Sequence, residues 1–232
     1  RSLYVVDPFQ SLHFRQLFKL LAKMGYEWAH ACQHIPYGLV RVGGKKTGTR
    51  MGNVVLMRDV FKIAEEEVRD VIAQVNPTLP ADVADTVARQ VGIGAVIFGN
   101  LAAQREKDID FDLDKAVSLD GDSGPYLQYS HARCASIIRK AGVAVSATVD
   151  YAQLATDAEW AVAKRLFDFP DVVVRSTDAC EPHVICHYLL ELAGEFSRWY
   201  TAGNSDATLR VLVDDPAVRG ARLALVGAVQ AT

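Results

Sequence analysis

Positive charge is scarce in this sequence of 232 residues, in which 25 lysines and arginines face 28 aspartates and glutamates. The formal net charge is −3 and the isoelectric point is about 6.1. A globally basic protein that coats a polyanion is therefore excluded, and any contact with phosphate must come from a local patch. Two clusters of cations qualify, although a solvated polar face explains each equally well on charge alone: Arg41, Lys45, Lys46 and Arg50, then Arg133, Arg139 and Lys140.

Cysteine and long apolar runs are scarce as well. Four cysteines are too few for a disulfide framework in a chain of this length. The sequence has no signal peptide and no apolar run of about 18 residues, so we expect no membrane span and a reducing, cytoplasmic setting. The chain opens on Arg1-Ser2 without an initiating methionine, and we interpret it as a fragment of a longer protein.

The segment 180–187 combines two cysteines and two histidines in a zinc-like pattern. Structural zinc normally takes its ligands from two separated pairs, and the sequence has no second pair. Glu181-Pro182 is typical of a helix start, and an apolar face follows through Ile185 and Leu189. We therefore predict packing cysteines and no metal site.

Hydrophobic periodicity predicts an α/β unit followed by an all-α bundle, with helix as the main element overall. A buried strand at 3–6, a turn at Asp7-Pro8 and a helix at 11–24 come first, and 35–42 is a candidate second strand. The composition changes at 76–80, Asn-Pro-Thr-Leu-Pro, and we place the domain boundary there, between 1–78 and 79–232. The helices that we predict after the second strand span 58–74, 82–104, 125–140, 151–168, 181–200 and 216–231.

The loop 43–53 holds four glycines, three of the cations and two threonines. Backbone amides and cationic side chains together suit an anion such as phosphate. The order of glycine, lysine and threonine is not that of a Walker loop. A mobile hairpin turn with solvated lysines is the alternative, and the loop alone does not decide between them.

The segment 7–13 follows the first predicted strand, at the edge where open α/β sheets bind ligands. Gln10 and His13 could both face a pocket at that edge. The alternative, which the segment alone favours, is that Gln10 caps the helix and His13 lies on the surface.

The segment 124–133, Gly-Pro-Tyr-Leu-Gln-Tyr-Ser-His-Ala-Arg, predicts a helix that starts at its proline, behind a polar turn at 121–123. At helical spacing Tyr126, Tyr129 and Arg133 share one stripe. Two rings and a guanidinium on one face could stack bases and contact phosphate. A tyrosine-rich core helix with an ordinary charged end is the alternative.

In this order the segments resemble those of the class I arginyl-tRNA synthetases, over essentially the whole chain. The first strand with Gln10 and His13-Phe14 resembles the end of the family's Rossmann-like catalytic domain. The loop resembles its lysine signature, and two blocks resemble its helical anticodon-binding domain. The segments that carry these three likenesses are Lys46-Thr47-Gly48-Thr49-Arg50-Met51-Gly52-Asn53, Gly121–Arg133 and Pro182–Tyr200 with Arg222-Leu223-Ala224-Leu225.

The resemblance implies arginine–tRNA ligase chemistry, in which ATP, supplied with Mg²⁺, activates L-arginine before its transfer to tRNA(Arg). It implies phosphate contacts for Lys46, with Thr49 and Arg50 at the last two signature positions, and Lys45 supplying charge where Met51 replaces a family lysine. It implies that Gln10 contacts arginine and that His13 reaches the nucleotide. It implies anticodon contacts for Gly121, Tyr126, Arg133 and Tyr200, and we expect Tyr129 to be a core residue.

The family's His-Ile-Gly-His motif lies upstream of the segments present here, so we expect the isolated chain to be inactive. The resemblance further implies a monomer. Two other hypotheses remain: a non-catalytic tRNA-binding helical module, and a helical scaffold without a ligand.

Overall fold

A computed structural model describes residues 1–42, 45–46, 56–118, 121–146 and 148–232 of the chain. Five strands are described: β1 (Ser2–Val5), β2 (Cys32–Ile35), β3 (Val40–Val42), β4 (Lys45–Lys46) and β5 (Ile109–Phe111). The helices described are α1 (Ser11–Lys23), α2 (Met57–Val75), α3 (Ala81–Leu101), α4 (Leu113–Val117), α5 (Gly124–Ala141), α6 (Asp157–Ala179), α7 (His183–Ser205) and α8 (Pro216–Ala231).

Strands β1 and β2 form a parallel pair, in register from Ser2 opposite Cys32 to Val5 opposite Ile35. Helix α1 connects them, as parallel strands require a crossover. Its buried Phe14 packs against the rings of Tyr4, with centroids 5.4 Å apart, and of His34, stacked at 4.7 Å. This β1–α1–β2 unit is the α/β part that the sequence predicts.

A second sheet has the order β4-β3-β5, in which β3 pairs antiparallel with β4 and parallel with β5. The predicted single strand at 35–42 is wrong, because the structure divides it between β2 and β3, in two different sheets. Pro36 follows β2 and has no N–H to donate to a ladder. The all-α part predicted at 79–232 is also interrupted, by β5.

The bundle is built from α5, α6, α7 and α8 around one hydrophobic core. Phe196 and Trp199 of α7 are at most 1% exposed, and Val162 of α6 and Val226 of α8 are fully buried. Helices α2 and α3 pair with each other, and α3 also packs against α5. The predicted fold class, an α/β remnant followed by a mainly helical part, is confirmed.

Helix α6 runs from Asp157 to Ala179, so the helix predicted at 151–168 is wrong at both ends. A capping box fixes its start: the Thr156 side chain accepts from the Glu159 amide, and the Glu159 carboxylate accepts from the Thr156 amide. The helix continues through Pro170, since Val172 and Ser176 beyond it are buried in the bundle. Within the described ranges, no helix is long and apolar enough to cross a membrane.

Candidate functional site

Helix α5 starts where the sequence predicts, and three adjacent residues explain why. The Ser123 hydroxyl accepts a hydrogen bond from the Tyr126 amide at 3.2 Å and donates one to the Ser118 carbonyl at 2.5 Å. Gly124 lies against α3, where a Cβ would come within 2.9 Å of the Phe98 Cβ. Pro125 is buried in the first turn. The Ser-Gly-Pro sequence is thus a cap and a close helix contact, which together set the direction of α5.

Tyr129, Arg133 and Tyr200 form a Tyr–Arg–Tyr cluster on the surface between α5 and α7. The Arg133 guanidinium carbon lies 4.5 Å from the Tyr129 ring centroid and 4.4 Å from that of Tyr200. Its Nη2 also donates a hydrogen bond to the Tyr129 hydroxyl at 2.7 Å. The guanidinium is therefore in contact with two aromatic rings, each of which attracts a cation.

The core of α7 fixes the Tyr200 side of this cluster. Trp199 is 1% exposed, and its indole N–H donates to the Leu209 carbonyl at 3.1 Å. Phe196 is fully buried, and its ring lies 6.4 Å from that of Tyr200. The half-buried Tyr200 thus projects from a rigid, well-packed helical turn.

Tyr126 and Gly121 lie at the α5 end of the same region. Tyr126 is half-buried in the first turn, and Gly121 is exposed in the preceding turn with a φ of 83°. Arg198 of α7 is near Tyr126, and its pKa is raised, mainly by the hydrogen bond to Glu195 and to a smaller extent by Tyr126. The sequence did not predict this proximity of Arg198 to Tyr126, because no local pattern connects α7 to the start of α5.

The expectation that Tyr129 is a core residue is wrong, because its side chain is 51% exposed. The helix instead turns Cys134 and Ile137 toward the bundle, and both are buried. An exposed ring beside a guanidinium offers a π-face and a cation together, which suits stacking and phosphate contact with a nucleic acid.

The start of α1 presents Gln10 and His13 at the surface, and both side chains are exposed. The Asp7 carboxylate accepts from the Phe9 amide at 2.9 Å and from the Gln10 side-chain amide at 3.2 Å. Gln10 stands at the N-cap position of α1 but makes no capping hydrogen bond with its side chain. His13 contacts Phe14 edge to face at 5.4 Å. The pair lies just past the carboxyl end of β1, as predicted.

The backbone of Lys45 and Lys46 forms β4, with Lys46 opposite Arg41 and Lys45 opposite Val42. Thr49 and Arg50 lie outside the described residues, as does most of the loop 43–53. The phosphate-binding roles of these four residues stay predictions.

The cysteines and histidines at 180–187 are engaged separately. The His183 Nδ1 lies 2.9 Å from the Glu181 carboxylate, and the His187 Nε2 lies 3.1 Å from the Ala102 carbonyl. Cys180 and Cys186 are free thiols, and burial raises the pKa of Cys186. In the part of the chain that the structure describes, no group of three or more His, Cys, Asp or Glu is arranged to hold a metal ion.

Comparison with known proteins divides the chain into two matched regions. Residues 1–113 match the catalytic domain of class I tRNA synthetases (R), and residues 127–232 match the DALR anticodon binding domain. Arginine–tRNA ligases of Lactobacillus johnsonii and Lactobacillus acidophilus are 43% and 44% identical over 98% of the chain. The chain spans 39% of the length of each of these curated relatives.

Solved structures agree with these matches. The arginyl-tRNA synthetase of Thermus thermophilus superposes with a TM-score of 0.87 at 34% identity, over 99% of this chain and 38% of that one. The enzyme of Plasmodium falciparum, at 21% identity and a TM-score of 0.77, shares the fold over 99% of this chain and 38% of that one. The chain therefore belongs to the arginyl-tRNA synthetase family, and it carries the end of the class I catalytic domain followed by the anticodon-binding domain.

Proposed function

We propose that this chain is the tRNA-reading part of an arginine–tRNA ligase, together with the phosphate-binding end of its catalytic domain. The observation that carries the proposal is the Tyr–Arg–Tyr cluster, which lies within the region matching the DALR anticodon binding domain. Two exposed or half-exposed rings around one guanidinium provide stacking surfaces for unpaired bases. The proposed partners are tRNA(Arg), L-arginine and ATP, with Mg²⁺ accompanying the nucleotide.

Within this proposal, Gly121, Tyr126, Arg133 and Tyr200 contact the anticodon. We add Tyr129, because its ring is exposed and touches Arg133. The net charge of −3 leaves little general attraction for RNA, so affinity should depend on these few contacts rather than on overall charge.

Binding of tRNA(Arg) to the 232-residue chain tests the anticodon role. Tyr126→Ala or Tyr200→Ala should weaken binding by about 1–3 kcal/mol if a base stacks on the ring removed. Phe167→Ala is the matched control, since it removes a ring that is 82% exposed on α6. Binding by the parent chain that ignores the anticodon sequence, or that survives both tyrosine substitutions, contradicts the assignment.

The catalytic end is proposed to act on the ATP phosphates and on arginine. Lys46, Lys45 and Arg50 would neutralise charge on the phosphates, Thr49 would offer them a hydroxyl donor, and Gln10 and His13 would position arginine and nucleotide. In an enzyme completed with the upstream part of the catalytic domain, Lys46→Ala should slow adenylate formation more than it weakens arginine binding. Unchanged single-turnover adenylation would remove Lys46 from the mechanism.

The isolated chain is expected to lack catalysis. Arginine-dependent exchange between ATP and pyrophosphate should be absent with this chain alone, and robust exchange would overturn the expectation. The alternative function is a non-catalytic tRNA-binding module, favoured by the cluster and indifferent to the lysine loop. An enzyme completed with the upstream part distinguishes the two functions. A ligase should gain exchange activity, which Lys46→Ala should then reduce, whereas a tRNA-binding module should gain none.

The division into domains at 1–78 and 79–232 stays a prediction. We further propose that the complete ligase, as distinct from the 232-residue chain alone, is a monomer that works in the cytoplasm, where protein synthesis consumes charged tRNA.

A further inference from the structure

Arg105 lies in the connection between α3 and β5, and its side chain is only 15% exposed. Its guanidinium donates to three groups from two separate parts of the chain. Nη1 bonds the carbonyl of Pro36, Nε bonds the carbonyl of Cys180 at 3.1 Å, and Nη2 bonds the Glu181 carboxylate at 3.1 Å. One side chain thus ties the end of β2 to the turn between α6 and α7.

The backbone around Arg105 makes further ties to both sides. The Gly38 amide donates to the Arg105 carbonyl at 2.7 Å, and the Ile109 amide donates to the Leu39 carbonyl at 2.9 Å. On the bundle side, His187 of α7 donates from Nε2 to the Ala102 carbonyl, 3.1 Å away. The connection 102–109 is therefore attached to the bundle at one end and to β3 at the other.

Apolar packing between the β1–α1–β2 unit and the helices is slight. The orientation of the unit therefore depends mainly on the polar contacts. Among the described residues, β1, α1 and β2 pack chiefly against one another. A cavity of about 820 Å³ separates β1 and β2 from α3 and α7, with Leu3 and Ile35 on one wall and Leu101 and Ile185 on the other. An open cavity contributes no close packing, so it cannot fix the orientation of its walls.

The Cys180 carbonyl is well placed to accept from a cation. It ends α6, where unpaired carbonyls carry partial negative charge, and Cys180 has a left-handed φ of 54°. Glu181, whose side chain is 21% exposed, neutralises the guanidinium together with Glu106, whose carboxylate lies 3.3 Å from the same Nη2. A planar guanidinium can serve three acceptors in fixed directions, whereas a lysine ammonium in the same place is a single point charge.

We propose that Arg105 is a positioning residue that locks the β1–α1–β2 unit to the helical bundle. The lock is argued from the contacts of Arg105 and is independent of the proposed function. Its consequence for catalysis rests on the proposed function: RNA held by the Tyr–Arg–Tyr cluster is presented to the catalytic end in one orientation.

The test measures the distance between the β1–α1–β2 unit and the helical bundle in the 232-residue chain. Nitroxides at Lys19→Cys on α1 and Lys164→Cys on α6 report the separation, in a background with Cys32→Ser and Cys180→Ser. Both lysines are exposed, and the Cys180 backbone carbonyl is retained in the serine variant. The parent background should give one narrow distance distribution, and Arg105→Lys should widen it at least about twofold, because an ammonium does not span all three acceptors.

Arg69→Lys is the matched control, because Arg69 pairs with Asp85 at 2.7 Å within the helical part. It should leave the distance distribution unchanged. Glu181→Ala, which removes one acceptor of the three, should widen it by less than Arg105→Lys, and it serves as the second variant if Arg105→Lys does not fold. An unchanged distribution in a folded Arg105→Lys or Glu181→Ala chain overturns the lock.

A kinetic measurement separates the lock from its consequence. In the completed ligase, Arg105→Lys should lower the rate of transfer to tRNA about tenfold or more and leave the Michaelis constants for arginine and ATP within about twofold, since misplacement affects the presentation of tRNA and not the small-molecule sites. A comparable rise in those Michaelis constants contradicts a positioning role. If the parent chain binds no tRNA, the proposed function fails while the distance measurement still decides the lock.

Discussion

At the scale of single residues, the bundle depends on one buried ion pair. The Arg222 Nε lies 2.5 Å from the Glu159 carboxylate, and neither side chain is more than 5% exposed. The same guanidinium donates at 2.7 Å to the carbonyls of Thr208 and Arg210. Breaking a buried pair from one side leaves a charge without compensation, whereas neutralising both sides does not.

We therefore expect Arg222→Met to lower the free energy of unfolding by about 3–5 kcal/mol. The double variant Glu159→Gln with Arg222→Met should recover part of that loss, because the remaining buried group is neutral. Denaturant unfolding followed by circular dichroism measures both. Arg198→Met is the control, since Arg198 pairs with Glu195 at the surface. Equal losses for the buried and the exposed arginine would contradict the role of the pair.

The four cysteine thiols should differ in their reactivity toward an alkylating agent, because they differ in burial. Burial raises the pKa of Cys134 from 9.0 to about 12, and it raises that of Cys186. Iodoacetamide at pH 8 should modify the half-buried Cys32 and Cys180 and spare the other two, because the thiolate is the nucleophile. Peptide mass spectrometry reads the result, with the denatured chain as control. Cys134 labelled as fast as Cys32 would contradict it.

The raised pKa of Cys134 also makes stability depend on pH at the alkaline end. The folded state favours the neutral thiol, so its contribution to stability is complete below about pH 9 and is lost as the pH rises toward 12. The free energy of unfolding should fall across that interval. Cys134→Ala should reduce the fall, and an unchanged slope would assign it to other groups.

At the scale of elements, local signals predict helix starts well and distant partners poorly. Ser123, Gly124 and Pro125 mark the start of α5 from the sequence because a cap and an N-terminal proline act within one turn. Strand β5 is missed because it is three residues long and flanked by Asp108 and Asp112, which favour a loop. Its pairing with β3 comes from residues almost seventy positions earlier in the chain, which no local pattern encodes.

The contact between α3 and α5 gives an element-level prediction. Gly124→Ala places a Cβ 2.9 Å from the Phe98 Cβ and 3.0 Å from the Gly94 carbonyl, so the helices must separate. We expect a loss of about 1–3 kcal/mol in the free energy of unfolding. Gly194→Ala in α7 is the control and should raise the free energy of unfolding. The new Cβ meets nothing closer than 3.9 Å, and alanine favours helix over glycine by up to about 1 kcal/mol. Equal effects of the two substitutions would contradict the packing argument.

At the scale of the whole molecule, the candidate site lies where segments far apart in sequence meet. The stripe of Tyr126, Tyr129 and Arg133 is predictable from spacing, but its contact with Tyr200 requires α7 to cross α5. Arg105 could not be singled out, because it lies in a polar connection without periodicity and two of its acceptors are backbone carbonyls. At this scale the function is inferred from family resemblance, whereas the helices and strands are predicted from hydrophobic periodicity and from cap and turn residues.

The surface of the β1–α1–β2 unit predicts how the chain behaves in solution. Phe9 is 83% exposed, Val5 63% and Leu12 58%, an unusual density of apolar side chains in one short segment. We expect the 232-residue chain to self-associate with rising concentration in sedimentation velocity. Phe9→Ser with Leu12→Ser should reduce association, whereas Phe167→Ser, which changes an isolated ring on α6, should not. Association that persists in the double variant would place the contact elsewhere.

The pair of Glu159 and Arg222 has a consequence for synthesis of the protein on the ribosome. Glu159 caps α6 through one carboxylate oxygen and meets Arg222 of α8 through the other. Until α8 has left the exit tunnel, the Glu159 carboxylate in the first turn of α6 has no Arg222 guanidinium to pair with and cannot be buried without cost. Closure of the bundle therefore waits for α8, and an arrested nascent chain lacking α8 should remain sensitive to protease after α5, α6 and α7 have all emerged.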